Sequence, residues 1–250
     1  MFRLDGKVAL ITGAATGLGA GVSIAFARQG ADIAISDKPG VILEQTAKSA
    51  EAYGHRVLAI EMDIREIGQL ERGVEVVRKE FRDINILINN AGINCPLPGL
   101  EVAEENWDDH FNTNVKGGFF LAQEVAPMMI AKNWGRIIWI SSQSGLVGIP
   151  GQPVYCSTKG AVIQLVRTLG LEWAKHGITV NSIAPTFVET NMTRKRLQQE
   201  HFRKFVLEKI PIGKLAEVDD VASAAVFLAS GEAKMVNCHT LCVDGGWTAW

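Results

Sequence analysis

The sequence predicts an α/β fold in which helices cover both faces of a doubly wound parallel sheet of about seven strands. Short apolar runs alternate with longer amphipathic segments along the 250 residues, as repeated strand–helix units do. The runs are almost continuously hydrophobic, which is typical of strands buried on both faces of a parallel sheet. No linker, repeat or break in composition divides the chain, so we expect a single domain over residues 1–250.

The predicted strands are rich in Val, Ile, Leu and Ala, and the predicted helices carry apolar residues at helical spacing. In chain order, the strands are expected at 8–11, 32–35, 57–60, 84–88, 136–140, 178–183 and 240–243. The clearest helices are expected at 17–29, 67–81, 104–132 and 154–175. The region between the last two strands departs from this alternation, and its polar, basic segment 186–211 is expected to form a lid over a site.

The composition disfavours several classes of function. A net charge of −2 gives no reason to expect nucleic acid or an anionic membrane as partner. No run approaches the roughly 18 apolar residues of a membrane span, and the N-terminus lacks the plan of a signal peptide. Four cysteines are too few for a disulfide framework and complete no metal site. We therefore expect a metal-free cytoplasmic protein with reduced thiols.

The first predicted strand runs into a glycine-rich turn that leads directly into the first helix. Its glycines follow a Gly-x-x-x-Gly-x-Gly spacing. Glycine permits a tight turn and close backbone approach to a phosphate, and a helix N-terminus attracts anions. The alternative is a turn without a ligand, but the position favours a dinucleotide pyrophosphate site. The expected contacts come from Gly13, Thr16, Gly17, Leu18 and Gly19.

Asp37 ends the second predicted strand, where an acidic side chain suits the ribose hydroxyls of an adenosine. A carboxylate there repels a 2′-phosphate, which favours NAD over NADP. Against this, Lys38 could pair with such a phosphate, and the plainer alternative is an aspartate that merely starts a turn before Pro39. NAD is the predicted cofactor, and NADP is the weaker candidate.

Tyr155 and Lys159 are four residues apart, so they share one face of a predicted helix. An ammonium beside a phenol stabilises the phenolate, so the pKa of Tyr155 is expected to fall toward neutral pH. The pair is then a candidate general base. Because this spacing also arises by chance, the other motifs must decide between a site and a coincidence.

Together these motifs resemble the short-chain dehydrogenase/reductase family over the whole chain, which implies a Rossmann-type fold. Asp63 and Ile64 resemble the family's adenine-contacting pair, and the segment Asn90, Ala91 and Gly92 matches the one beside the cofactor. Residues that match the positions holding the nicotinamide are Pro185, Val188 and Thr190.

The resemblance also implies the catalytic residues. Ser142 lies thirteen residues before Tyr155, the usual family spacing, which neither Ser141 nor Ser144 has. Asn114 corresponds to the helix-borne catalytic asparagine. These matches imply oxidation of an alcohol to a ketone, with the hydride passed to NAD.

Each catalytic residue has an implied role. Tyr155 takes the hydroxyl proton, and Lys159 lowers its pKa and holds the nicotinamide ribose. Ser142 hydrogen-bonds the substrate oxygen, and Asn114 positions a water that relays protons. One departure from the family is Thr186, where glycine is usual. A β-branched residue takes positive φ at a cost, so strain is expected at Thr186 if the loop keeps the family's geometry.

The substrate pocket is expected to combine Asn94, Cys95, Ser144 and Gln152 with the lid at 186–211. Polar groups at these positions suit a polyhydroxylated substrate, unless they only line loops. The segment after residue 185 and the C-terminal residues 243–250 resemble the sugar, sugar-acid and polyol dehydrogenases of the family, including the gluconate 5-dehydrogenase type.

Two other functions compete with this interpretation. A 3-oxoacyl carrier-protein reductase using NADPH is favoured by the basic segment 194–196 and disfavoured by Asp37. A non-catalytic dinucleotide-binding regulator would be free to lose Ser142, Tyr155 and Lys159, which this chain retains.

The family resemblance also implies a dimer or tetramer formed through helices 104–132 and 154–175. The C-terminal aromatic residues Trp247 and Trp250 are candidates for a second interface.

Overall fold

The computed structural model describes residues 1–249 and confirms the predicted α/β fold. All seven predicted strands join one parallel sheet in the order β3-β2-β1-β4-β5-β6-β7. The strands are β1 (Val8–Thr12), β2 (Asp32–Asp37), β3 (Val57–Glu61), β4 (Ile86–Asn89), β5 (Gly135–Ile140), β6 (Ile178–Pro185) and β7 (Thr240–Val243).

Nine α-helices lie among the described residues, and the longer ones agree with the predicted segments. They are α1 (Gly17–Arg28), α2 (Glu44–Glu51), α3 (Ile67–Phe81), α4 (Glu104–Phe111), α5 (Gly117–Lys132), α6 (Pro153–Trp173), α7 (Arg194–Leu197), α8 (Glu200–Lys209) and α9 (Val218–Ala229).

Helices pack on both faces of the sheet because successive residues of each strand point to opposite sides. In β1, Ile11 belongs to a core shared with α1 and α9, whereas Leu10 belongs to a second core shared with α3, α5 and α6. The strands read as continuously apolar because both sides are covered. Trp139 of β5 is the largest of the fully buried side chains in the second core.

The predicted helix 104–132 is interrupted by one π-helical turn. Asn112–Lys116 forms this turn between α4 and α5. Such bulges are frequent at functional sites, because they re-aim a side chain without ending the helix. Asn114, the predicted catalytic asparagine, lies in the middle of the turn.

The expected lid region contains two short helices, α7 and α8. Apolar residues of this region form a third, small core with residues from the loop before α6 and from the C-terminus. Phe187 and Phe202 meet edge to face with ring centroids 5.5 Å apart, and Phe187 also contacts Trp247 at 5.8 Å. The predicted interface residue Trp250 lies outside the described residues.

Within residues 1–249, no helix is long and apolar enough to cross a membrane. The same residues contain no group of three or more His, Cys, Asp or Glu side chains arranged for a metal ion. The four cysteines are free thiols.

Candidate active site

The predicted site residues come together at the carboxyl edge of the sheet. The strand order reverses between β1 and β4, which opens a crevice beyond the ends of these two strands, and open α/β sheets bind their ligands in such crevices. The glycine turn follows β1, Asn90 follows β4, Ser142 follows β5 and Thr186 follows β6. Parallel pairing thus gathers segments that are far apart in the sequence.

The turn after β1 leaves the N-terminus of α1 open to an anion. Thr16 precedes the helix without a side-chain capping bond, and the first turn contains no acidic residue. Gly13 and Gly17 both have positive φ (63° and 61°). A Cβ on Gly19 would lie 2.3 Å from the Gly13 carbonyl oxygen. Glycine is therefore required here, and the free N–H groups suit a pyrophosphate.

The segment after β4 is locked against the glycine turn by hydrogen bonds. The Asn90 side chain donates to the carbonyl oxygens of Thr12 (2.8 Å) and Gly13 (2.9 Å). The Thr12 hydroxyl accepts from the backbone N–H groups of Asn90 and Ala91 at 3.1 and 3.0 Å. This reciprocal arrangement explains why the Asn90-Ala91-Gly92 segment lies beside the first turn.

The acidic residues assigned to the adenosine lie at the ends of β2 and β3. Asp37 accepts from the N–H groups of Ala15 (3.2 Å) and Lys38 (2.9 Å), so its carboxylate lies beside the glycine turn. Asp63 pairs with Arg65 (2.7 Å), and this hydrogen bond lowers the pKa of the Asp63 carboxyl. The predicted partner Ile64 is buried.

The Ser142 hydroxyl lies close enough to the Tyr155 phenol to act on the pKa of that phenol. The Ser142 hydroxyl oxygen accepts the backbone N–H of Ser144 at 3.1 Å, and this bond fixes its direction. Its proton is then free for the Tyr155 oxygen or for an oxygen of a substrate. Ser142 is buried, and Tyr155 is half-buried. The choice of Ser142 over its neighbours as the catalytic serine stays a prediction.

Lys159 and Asn114 meet beside Gly92. A Cβ on Gly92 would lie 3.2 Å from Asn114 Oδ1 and 3.6 Å from Lys159 Nζ. Lys159 Nζ donates to the carbonyl oxygen of Ile140 at 2.8 Å. The absence of a side chain at Gly92 leaves space where these two polar groups converge, next to the predicted nicotinamide site.

The predicted fall in the Tyr155 pKa is wrong for the chain by itself. Burial raises the pKa of Tyr155 to about 12, and the nearby Ser142 hydroxyl acts in the opposite direction. Lys159 does not reverse this effect, because its ammonium points to Ile140 and lies 5.6 Å from the centroid of the tyrosine ring. Burial also lowers the pKa of Lys159 to about 8.

Asn114 holds the loop that follows β4. Its Oδ1 accepts from Ile93 N–H (2.8 Å), and its Nδ2 donates to Ile93 O (3.0 Å) and to the Thr158 hydroxyl (3.1 Å). One side chain therefore ties the π-helical turn, the loop and α6 together. Its role in a water relay stays a prediction.

Thr186 fits its loop without positive φ. Among residues 1–249, those other than glycine with positive φ are Phe2, Arg82, Asn133 and Cys238, so Thr186 avoids the predicted strain. Its N–H donates to the Val243 carbonyl at 3.0 Å, which continues the pairing of β6 with β7.

The three residues assigned to the nicotinamide follow the end of β6. Pro185 is the last residue of that strand, and Val188 is buried. A Cβ on Gly17 would lie 3.3 Å from the Thr190 methyl group, so Thr190 faces the glycine turn.

The expected substrate residues Asn94 and Gln152 contact each other. Asn94 Nδ2 donates to Gln152 Oε1 at 2.9 Å, which joins the loop after β4 to the start of α6. Ser144 is buried one turn from Ser142, and the Cys95 side chain is exposed. The structure therefore brings the predicted amides together and leaves the thiol at the rim.

His110 is a site residue that sequence reasoning missed. It is buried, its Nε2 accepts the Cys95 N–H at 3.1 Å, and its Nδ1 lies 2.6 Å from the Asn106 carbonyl. These partners fit a neutral ring that donates from Nδ1. The sequence pattern that could have identified His110 is its position four residues before Asn114, since both side chains hold the same loop.

The residues present fit a nicotinamide dinucleotide. The open N-terminus of α1 suits its pyrophosphate, Asp37 suits the adenosine ribose, and the space at Gly92 lies beside Lys159.

Comparisons with known proteins agree with this geometry. Residues 13–248 match the family model described as Enoyl-(Acyl carrier protein) reductase. The chain is 40% identical to a 2-dehydro-3-deoxy-D-gluconate 5-dehydrogenase of Dickeya dadantii, over 99% of this chain and 98% of that protein. It is 38% identical to a 3-oxoacyl-[acyl-carrier-protein] reductase of Thermotoga maritima, with 98% of each chain covered.

A solved structure extends the likeness. The gluconate 5-dehydrogenase of Burkholderia cenocepacia, crystallised with NADP and tartrate, superposes with a TM-score of 0.95 at 34% identity. The alignment covers 100% of this chain and 98% of that one. With the sheet order and the glycine turn, these matches show that the chain belongs to the short-chain dehydrogenase/reductase family.

Proposed function

We propose that this protein interconverts a secondary alcohol and a ketone on a sugar acid, sugar or polyol, with a nicotinamide dinucleotide as cofactor. The observation that carries the proposal is the convergence of Ser142, Tyr155 and Lys159 at the carboxyl edge of the sheet. Lys159 Nζ lies 5.6 Å from the centroid of the Tyr155 ring, and the Ser142 hydroxyl is near enough to act on the phenol. The sugar-acid dehydrogenases among the relatives support the substrate class.

The residues divide the chemistry between them. Tyr155 gives or takes the proton of the reacting oxygen, and Ser142 holds that oxygen through its hydroxyl. The buried Lys159 ammonium stabilises negative charge near the phenol, while Asn114 keeps the neighbouring loop in place. The bound cofactor supplies the hydride acceptor or donor, and its oxidised ring adds a positive charge that opposes the high pKa of Tyr155.

We propose NAD as the preferred cofactor because the Asp37 carboxylate lies at the end of β2, where a 2′-phosphate would be repelled. The relative crystallised with NADP shows that a gluconate 5-dehydrogenase of this fold binds the phosphorylated cofactor. The choice between the two for this chain therefore depends on Asp37 and Lys38, and it is testable by substitution.

The carrier-protein reductase alternative draws on the Thermotoga relative and on the basic residues of α7. Arg196 weakens it, because its guanidinium stacks 4.0 Å from the centroid of the Phe202 ring and is only partly exposed. A side chain held in this way is poorly available to an acidic partner. An acyl thioester substrate in the assay distinguishes this function from the proposed one.

We also propose that two copies of the chain pair through α5 and α6. A largely apolar groove of about 730 Å³ runs along these helices, lined by residues such as Phe119, Ile130 and Leu165. We expect Leu165→Asp to produce a smaller species in analytical ultracentrifugation. Leu171→Asp is the matched control, since Leu171 is 75% exposed on α6 and does not line the groove.

The proposed activity is tested by following cofactor reduction with NAD and with NADP. In the oxidation assay, the substrate panel contains D-gluconate, D-threitol and galactitol. In the reverse, reduction assay, the substrates are ketones: 2-dehydro-3-deoxy-D-gluconate analogues oxidised at carbon 5, and an acetoacetyl thioester. We expect turnover with a polyhydroxylated substrate. We also propose that the protein acts in the cytoplasm. Activity on the thioester alone would replace the proposed function with the carrier-protein reductase.

A further inference from the structure

We infer that Asn94 and Gln152 together form a subsite that recognises a substrate hydroxyl and rejects both a carboxylate and a plain alkyl group. This inference rests on the proposed function and names the chemistry by which its substrate class is selected. The bond from Asn94 Nδ2 to Gln152 Oε1 (2.9 Å) uses one polar atom of each amide. The other two, Asn94 Oδ1 and Gln152 Nε2, are buried without a hydrogen-bond partner.

The two unpaired atoms are one acceptor and one donor. Turning both amides over exchanges their roles but again leaves one acceptor and one donor, so the conclusion does not depend on which way each amide is assigned. A hydroxyl group donates to one and accepts from the other. A carboxylate has no proton to donate, and its charge would face a carbonyl oxygen; an alkyl group would leave both atoms unpaired.

The subsite lies on the same segments as the proposed proton-transfer groups. Gln152 immediately precedes α6, three residues before Tyr155, and its backbone oxygen accepts the N–H of Cys156 at 3.0 Å. Asn94 lies two residues after Gly92, beside which Asn114 and Lys159 converge. A hydroxyl bound by the two amides therefore belongs to a carbon close to the reacting one.

Both sides of the subsite are held rigidly. Asn114 makes two hydrogen bonds to Ile93, and His110 accepts the N–H of Cys95, so the residues on each side of Asn94 are fixed. Gln152 is 2% exposed. Because neither amide can turn to water, a substrate without the hydroxyl leaves buried polar atoms unpaired, and such sites discriminate strongly. The amide pair carries no positive charge, so a sugar-acid carboxylate must lie elsewhere in the pocket.

The test compares reduction of erythrulose and 2-butanone, which share a four-carbon skeleton with and without hydroxyls. We expect the wild type to prefer erythrulose by roughly 100-fold or more in kcat/KM. Gln152→Met and Asn94→Leu keep side-chain size and remove the polar atoms. Each is expected to lower kcat/KM for erythrulose roughly 10- to 100-fold and to leave 2-butanone within about threefold. Gln45→Met, on the exposed face of α2, is the control for the same chemical change.

Three outcomes would overturn the subsite. In the first, the variants lose the same factor in kcat/KM on erythrulose and on 2-butanone. In the second, the variants keep the wild-type preference for erythrulose. In the third, the wild type itself shows no preference, because both ketones react alike or neither reacts. Thermal melting of each variant shows whether the fold survives. Failure of the proposed function is separate, because it appears as preference for the acetoacetyl thioester or as reduction that persists in Tyr155→Phe.

Discussion

The proposed cofactor side and the proposed substrate side of the crevice are built in different ways. The cofactor side is made of backbone: the turn from Gly13 to Gly19, the open end of α1, and the Asn90 segment locked onto it. The proposed substrate side is made of side chains on separate segments, such as the Asn94–Gln152 pair, and of a small apolar core in the expected lid region. The backbone turn is a feature that all members of such a fold must keep, whereas the side chains on separate segments can vary with the substrate.

The largest expected effect on cofactor binding comes from adding one methyl group to the cofactor side. In Gly19→Ala the new Cβ would lie 2.3 Å from Gly13 O and 2.6 Å from Asn90 Nδ2, and neither neighbour can move freely. We expect cofactor affinity to fall at least roughly 100-fold and the unfolding free energy to fall by about 1–3 kcal/mol. Cofactor titration by tryptophan fluorescence and urea unfolding measure the two quantities.

Gly68→Ala is the control for that substitution. Gly68 lies in α3, exposed, and its Cβ would meet only the end of the Arg72 side chain at 3.4 Å. An alanine there is expected to stabilise the protein by up to about 1 kcal/mol, with unchanged cofactor binding. Equal behaviour of the two variants would contradict the view that the backbone of the turn forms the cofactor site.

The second prediction concerns the buried Lys159. Burial lowers its pKa in the folded chain to about 8, from 10.5, so the unfolded chain binds more protons between these pH values. The destabilisation by the buried ammonium is complete below pH 8 and disappears as the pH rises toward 10.5, and it amounts to about 3 kcal/mol. We expect Lys159→Met to be inactive yet more stable than the wild type at pH 7.

Urea unfolding of both proteins at pH 7 and pH 10 checks this sign. The advantage of the Lys159→Met variant is expected to shrink at pH 10, because the wild-type lysine is then largely neutral. A constant difference between the two proteins would show that the buried charge is not the cause.

Phe202→Ala tests the substrate side. Phe202 is buried against Phe187 and Arg196 in the small core of the lid. Its loss is expected to raise KM for the substrate roughly tenfold, because the lid residues lose their packing, while cofactor affinity stays within about twofold. Phe205→Ala, at a more exposed ring of the same cluster, should have a smaller effect. If Phe202→Ala weakened cofactor binding as much as it raised KM for the substrate, the two sides of the crevice would not be separate in function.

The smallest expected effect is a change in cofactor choice. Asp37→Ala removes the carboxylate that repels a 2′-phosphate, and we expect the NAD-to-NADP ratio of kcat/KM to fall roughly tenfold. Lys38→Ala is expected to weaken only NADP. An unchanged ratio in both variants would show that the end of β2 does not select the cofactor.

The local geometry of the glycine turn was predictable from the sequence, because glycines at a strand–helix corner specify backbone geometry directly. The seven strands and the long helices were also predictable, since apolar periodicity reflects burial. The π-helical turn around Asn114 was missed, because one extra residue in a helical turn leaves no mark on the apolar pattern.

The substrate side was predictable only as a set of polar positions. The hydrogen bond between Asn94 and Gln152 joins residues 58 apart in the chain, and the buried His110 resembled any polar residue of an amphipathic helix. The Tyr155 pKa was predicted in the wrong direction because burial depends on tertiary packing, which outweighs the neighbouring lysine in the chain by itself.

The central claim is that Tyr155 transfers the proton in a reaction that passes hydride to or from a nicotinamide. Its most direct test is the turnover of Tyr155→Phe with the best substrate of the panel, measured beside its cofactor affinity. We predict a loss of about 100- to 10,000-fold in kcat, with cofactor binding and thermal stability retained. Turnover within a few-fold of the wild type would contradict the claim.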